Sequence, residues 1–129
     1  MGEELILEKL QAYFAQHALD VSAAYLFGSV ARGDARVDSD IDVAVLYSVD
    51  PPVSLEHLPF ELEEELELLL GKHVDVIVLN HAPVDFIHRV LRDGKLALER
   101  DPSLRIRFEV KSRNEYFDLL PYLREYRKA

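Results

Sequence analysis

The sequence predicts an α/β (α+β) fold in which short strands are flanked by helices. Short runs of β-branched and apolar residues alternate with longer stretches whose leucines and aromatics recur at helical spacing. The second and third strand-like runs are separated by one such helical stretch, as a crossover unit requires. The chain of 129 residues, 49% hydrophobic and 30% charged, has the size and composition of one globular domain spanning residues 1–129.

Taken in order, Leu10, Tyr13, Phe14 and His17 share one helical face near the N-terminus. Ala23 to Phe27 reads as a short buried strand, and Ile41 to Tyr47 as a second, rich in β-branched residues. Ser48 to Pro52 concentrates turn-forming residues and predicts a loop. Leu62, Leu66, Leu69 and Leu70 then return at helical spacing, with Pro59 near the start and Gly71 just past the end. Val74 to Leu79 is a third strand. Phe86, Ile87, Val90 and Leu91 form one helical face that Gly94 stops. Lys95 to Glu99 has the length of a short edge strand. From about Ser103 to the end the pattern is helical, with Pro121 placed to kink it.

Charge narrows the function classes. Fifteen Lys and Arg against 24 Asp and Glu give a net −9, which disfavours general binding to nucleic-acid backbones. A nucleotide carrying its own cation, or a protein partner of opposite charge, remains compatible. No apolar run approaches the roughly 18–20 residues of a membrane span. The Met1-Gly2-Glu3-Glu4 start lacks the basic and apolar regions of a secretory signal, and Ile6 replaces the Ser or Thr that acylation at Gly2 would need. The absence of Cys removes disulfides and thiolate chemistry. Together these lead to the expectation of a cytoplasmic protein.

The most informative segment runs from Phe27 to Val45. Asp40 and Asp42 stand two apart at the head of a strand, so their side chains share a face. They are either solvated acids or a pair whose repulsion a hard divalent cation such as Mg²⁺ would relieve. Gly28-Ser29 directly follows an apolar strand. It is either a plain turn or a place where backbone N–H groups and a hydroxyl meet a phosphate. Ten residues lie between Ser29 and Asp40, enough for a short helix and a turn before the chain returns as an adjacent strand. Asp75 is a lone charge in an apolar strand. It is either a mouth-of-strand acid with an ion-pair partner or the third member of a carboxylate cluster. Three acids, a divalent metal and a phosphate-binding turn together suit phosphoryl or nucleotidyl transfer, in which two metals clamp the attacking and leaving oxygens. Asp40 and Asp42 would hold both ions. Asp75 would help hold the ion nearer the attacking hydroxyl, and Ser29 would hold the leaving phosphates.

Gly28-Ser29, followed by Asp40-x-Asp42 and a later strand-borne Asp75, resembles the DNA polymerase beta-type nucleotidyltransferase superfamily. The small size, the Ala31-Arg32-Gly33 run and the helical tail resemble more specifically its minimal nucleotidyltransferase (MNT) group of antitoxins, which pair with HEPN-domain RNase toxins. The resemblance is firmest over Ala23–Leu79. It implies the nucleotidyltransferase fold, a small mixed β-sheet flanked by helices. It also implies transfer of AMP from ATP to a tyrosine of the toxin, with Mg²⁺ held by Asp40, Asp42 and Asp75 and the triphosphate by Gly28 and Ser29. A hetero-oligomer with the toxin follows, without membrane or direct nucleic-acid contact. Two other functions stay open: an antitoxin that blocks its toxin by binding alone, and a small-molecule nucleotidyltransferase of the aminoglycoside-modifying kind.

Other features have plainer readings beside functional ones. Arg32 and Arg36 either reach the triphosphate or balance Asp34 and Asp38. Ser39 either caps a turn or touches phosphate. The acid run Glu61 to Glu67 reads as the wet face of a helix, or else as a docking surface for a basic partner. His57, His73, His81 and His88 lack the spacing of zinc ligands. The aromatics of the tail from Arg105 to Lys128 are expected mainly to pack on the core, with contact to a protein partner or to RNA as the other readings.

Overall fold

A computed structural model of the chain describes residues 1–52 and 58–128. His57 lies outside the described residues. The elements are α1 (Glu3–Phe14), β1 (Val21–Phe27), α2 (Gly28–Arg32), β2 (Ile41–Tyr47), α3 (Phe60–Leu70), β3 (Val74–Val78), a 3-10 turn (Leu79–His81), α4 (Val84–Asp93), β4 (Lys95–Glu99) and α5 (Pro102–Lys128). The strands lie in the order β3-β2-β1-β4. β1 is antiparallel to both β2 and β4, whereas β2 and β3 are parallel with α3 as their crossover. The sheet is therefore mixed, as expected.

Both faces of the sheet are covered, which explains why its central strands are nearly continuous apolar runs rather than alternating ones. Val43 and Val45 of β2, with Ala24 and Leu26 of β1, pack on Ile6, Leu10 and Phe14 of α1 and Leu62, Leu66 and Leu70 of α3. The residues between them, Ala44, Leu46, Ala23 and Tyr25, face Ile87 and Val90 of α4 and Leu104 and Phe108 of α5. Each fully buried Leu, Ile or Phe contributes about 1.5–3 kcal/mol relative to exposure.

Several boundaries differ from the sequence expectation. β1 starts two residues early, at Val21. β3 stops at Val78 because Leu79 turns into the 3-10 segment, where it is still fully buried. His17 lies beyond the end of α1. Pro121 sits inside one continuous α5, at a level where the helix is exposed, so its missing amide strands a carbonyl that water can reach.

The acid run on α3 is more than a wet face. β3 is an edge strand, and its outward amides need acceptors. The Val76 N–H donates to Glu63 Oε2 at 2.8 Å and the Val74 N–H donates to Glu67 Oε1 at 3.2 Å. Tyr13 Oη donates to Glu65. The tail divides in the same way. Tyr116 stacks on His88 of α4 at 3.6 Å, and Tyr25 Oη donates to Glu109 at 2.6 Å, but Phe117, Tyr122 and Tyr126 are exposed.

Candidate active site

The site forms at one end of the β1–β2–β3 ladder. Asp40 immediately precedes β2 and Asp42 is its second residue. In the parallel register Asp42 pairs directly with Asp75 of β3, so the two carboxylates leave the same face side by side. Across the antiparallel ladder Asp42 pairs with Phe27, the last residue of β1. The chain then turns sharply at Gly28, whose φ is +74°. A Cβ at this position would lie 2.1 Å from Asp42 Oδ2. Glycine is thus required twice over, for the left-handed backbone and for the close approach to the carboxylate. The short helix α2 begins here, as the spacing between Ser29 and Asp40 predicts, with Ser29 half-buried in its first turn.

The three sequence-predicted acids are brought together. Burial raises the Asp42 carboxyl above its ordinary range, and the charges of Asp75 and then Asp40 raise it further, against opposing fields from Arg32 and His73. Among the described residues no Lys or Arg forms an ion pair with any of the three; the nearest candidate, Arg32, bonds Asp34 at 3.4 Å instead. A convergent set of hard oxygen donors, with no Lys or Arg paired to it among the described residues, fits a divalent cation such as Mg²⁺.

The sequence reading missed His73. Its Nε2 lies 3.0 Å from Asp75 Oδ1 and its Nδ1 lies 2.9 Å from Glu67 Oε1. One ligand atom each of Asp40, His73 and Asp75 fall within 4.8 Å of one another. Desolvation lowers the basicity of this ring, but the fields of Asp75, Asp40 and Glu67 outweigh it and leave the imidazole more basic than usual. Spacing rules look for ligands close along the chain, and Asp40 reaches His73 across a strand pair. The one available signal was strand alternation, which places His73 two residues before Asp75.

The remaining predicted residues sit at the margin. The Ser39 hydroxyl accepts the Arg36 N–H at 2.7 Å, which is a turn-capping arrangement. Arg32 and Arg36 are exposed. A cleft of about 690 Å³ opens at the far end of β2, lined by Tyr13, Asp20, Tyr47 and Asp50 among others, away from the carboxylates.

Comparison with known proteins gives the geometry its context. Protein adenylyltransferase MntA of Thermococcus cleftensis is 33% identical over 96 residues, which cover 69% of this chain and 93% of that protein. A chain from the crystal structure of a toxin–antitoxin with AMP-PNP superposes with a TM-score of 0.79 at 24% identity, covering 95% of each chain. A second, from the tri-AMPylated Shewanella oneidensis HEPN toxin in complex with MNT antitoxin, gives 0.74 at 23% identity, covering 98% of this chain and 96% of that one. At those identities the two structures establish a shared fold. The family model described as "Polymerase beta, Nucleotidyltransferase" matches residues 8–103, and the chain belongs to that family.

Proposed function

We propose that this chain is an antitoxin that acts as a protein adenylyltransferase, transferring AMP from ATP to a tyrosine hydroxyl of a cognate HEPN RNase toxin and thereby neutralising it. The observation that carries this reading is the convergence of Asp40, Asp42 and Asp75 beside a glycine that only glycine can occupy. The likeness to a protein named as a protein adenylyltransferase supports the acceptor class. So does the overall resemblance to chains from toxin–antitoxin structures, one with AMP-PNP and one with an AMPylated toxin.

Bound Mg²⁺ would supply Lewis-acid stabilisation of the α-phosphate and its leaving diphosphate. The residues of this chain do the rest. Asp40, Asp42 and Asp75 would hold the cation, and Gly28 lets the Asp42 carboxylate and the backbone of α2 approach one another. Ser29 and the first turn of α2 meet the triphosphate, with Arg32 near enough in sequence to reach its outer oxygens. Asp75, on the side of the incoming hydroxyl, would favour passage of that hydroxyl's proton to solvent. The tyrosine oxygen bonds to the α-phosphorus as the bond to the bridging oxygen breaks, releasing diphosphate and leaving AMP on the toxin. In this reading residues 1–129 work as one domain in the cytoplasm, where ATP and the toxin's RNA targets are found. Among the described residues no helix is long and apolar enough to cross a membrane.

Incubating the chain with its HEPN partner, Mg²⁺ and labelled ATP should put label on the toxin, and the Asp40→Asn, Asp42→Asn double variant should abolish it. An unlabelled toxin would count against the reading. The exposed Phe117, Tyr122 and Tyr126 on α5 favour a second reading, neutralisation by binding alone. The double variant separates the two, because a pure blocker would still protect cells from the toxin.

A further inference from the structure

We propose that His73 is a nitrogen ligand of the divalent-cation site, joining Asp40 and Asp75, that Glu67 positions its ring, and that this donor shifts the site's preference from Mg²⁺ toward Mn²⁺. The inference rests on the reading that these carboxylates hold a metal.

Three features of the geometry support it. The first is proximity. The donor atoms of Asp40, His73 and Asp75 lie within 4.8 Å of one another. An ion about 2.1 Å from each of two donors leaves them at most about 4.2 Å apart. His73 and Asp75 are already 3.0 Å apart, so closing the difference takes only rotation of the exposed Asp40 side chain. The second is orientation. His73 Nδ1 lies 2.9 Å from Glu67 Oε1, and that same oxygen accepts the Val74 N–H at 3.2 Å. Glu67 is therefore anchored by the edge of β3, and it holds the ring with Nδ1–H directed at itself. A carboxylate bonded to one imidazole nitrogen, with the other nitrogen turned to the ion, is the usual support of a metal-binding histidine. The third is where Nε2 points. It stands 3.0 Å from Asp75 Oδ1. With Nδ1 turned to Glu67, Nε2 is the ring nitrogen left facing the Asp75 carboxylate and the space beside Asp40.

An imidazole donor matters because the two candidate ions differ in taste. Mg²⁺ strongly prefers oxygen ligands and retains water, whereas Mn²⁺ accepts mixed nitrogen and oxygen sets. Asp42 stands outside the close trio, against Gly28.

The test measures metal binding without nucleotide or toxin. The full chain is titrated calorimetrically with Mn²⁺ alone and with Mg²⁺ alone, as wild type, His73→Ala, Glu67→Gln and Asp75→Asn. Circular dichroism verifies that each variant is folded. Pulsed electron-spin-echo spectroscopy of the Mn²⁺-loaded protein reads any directly bonded ¹⁴N. The wild type should show ¹⁴N coupling that His73→Ala lacks. Mn²⁺ should bind His73→Ala about 10-fold or more weakly, while Mg²⁺ changes less than about 3-fold. Glu67→Gln should weaken Mn²⁺ by an intermediate factor. Equal Mn²⁺ affinity in wild type and His73→Ala, tighter binding in the variant, or no ¹⁴N coupling overturns the assignment, because a histidine that serves only as a charged plug gives those results. Failure of Asp75→Asn to weaken either ion overturns the carboxylate site itself, and the His73 assignment with it.

Discussion

Asp42 shows how a single side chain can oppose the fold that holds it. Burial, with Asp75 and Asp40 beside it, raises its carboxyl above the ordinary value, so the folded chain holds that proton more tightly than the unfolded one. Below the unfolded pKa both states are protonated and nothing is lost. As pH rises past it the penalty grows, and above the raised folded pKa it is fully present. At neutral pH the ionised carboxylate therefore destabilises the metal-free protein. Asp42→Asn should raise the metal-free melting temperature at pH 7 by about 2–4 °C. The gain over wild type should shrink as pH falls toward about 4. A variant that melts lower than wild type at pH 7 would mean that the Asp42 charge is already compensated. The same carboxylate was legible in the sequence, because strand parity ties Asp42 to Asp40 and a lone Asp75 in an apolar strand calls for company. Gly28 was legible as a sharp turn, but its contact with Asp42 needed the ladder register. His73 was legible only through its parity with Asp75, since its other neighbours, Asp40 and Glu67, come from a parallel strand's approach and from α3, and no local spacing encodes either.

Elements were read well where one element's own pattern decides its state, and less well where a neighbour decides. Helical spacing of Leu62, Leu66 and Leu70 located α3, and all three are buried. The glutamates between them read as solvated because nothing within a helix tells which flank will lie along a sheet edge. Glu63 and Glu67 lie on that flank and take the amides that an edge strand would otherwise offer to another chain. Exposed Glu64, one position away, has no such bond among those described. Glu63→Ala should accordingly cost about 1–2 kcal/mol, within the range for a hydrogen bond to a charged group that water partly replaces. It should also speed hydrogen exchange at the Val76 amide, whereas Glu64→Ala should leave both unchanged. Equal exchange at Val76 in the two variants would show that Glu63 protects nothing. Because β3 carries Asp75, the same loss should loosen one wall of the carboxylate site.

Across the whole molecule, the site and the principal long-range clamp occupy opposite ends of β1. Arg100 follows β4, which runs antiparallel to β1 and brings it to the strand's beginning, away from Phe27 and Gly28. There its guanidinium donates to four carbonyls, those of Ala18 at 2.7 Å, Val21 at 2.6 Å, His17 at 3.0 Å, and Phe14. These include the open carbonyl end of α1, a helix with no basic residue in its last turn. One arginine thereby ties the end of α1 and the start of β1 to the end of the edge strand β4, which lies far from both along the chain. Only a planar fork with five N–H groups can serve so many acceptors, so lysine is a poor replacement. Arg100→Ala should lower unfolding free energy by about 2–4 kcal/mol, and Arg100→Lys should recover only part of it. In urea the midpoint should fall with the slope unchanged, since the surface exposed on unfolding is the same. The carboxylate cluster lies at the other end of the strand, so metal affinity in the folded fraction should match wild type. A variant that keeps its urea midpoint would remove Arg100 as the clamp. One that keeps stability but loses metal binding would mean that the two ends of the sheet are coupled through β1.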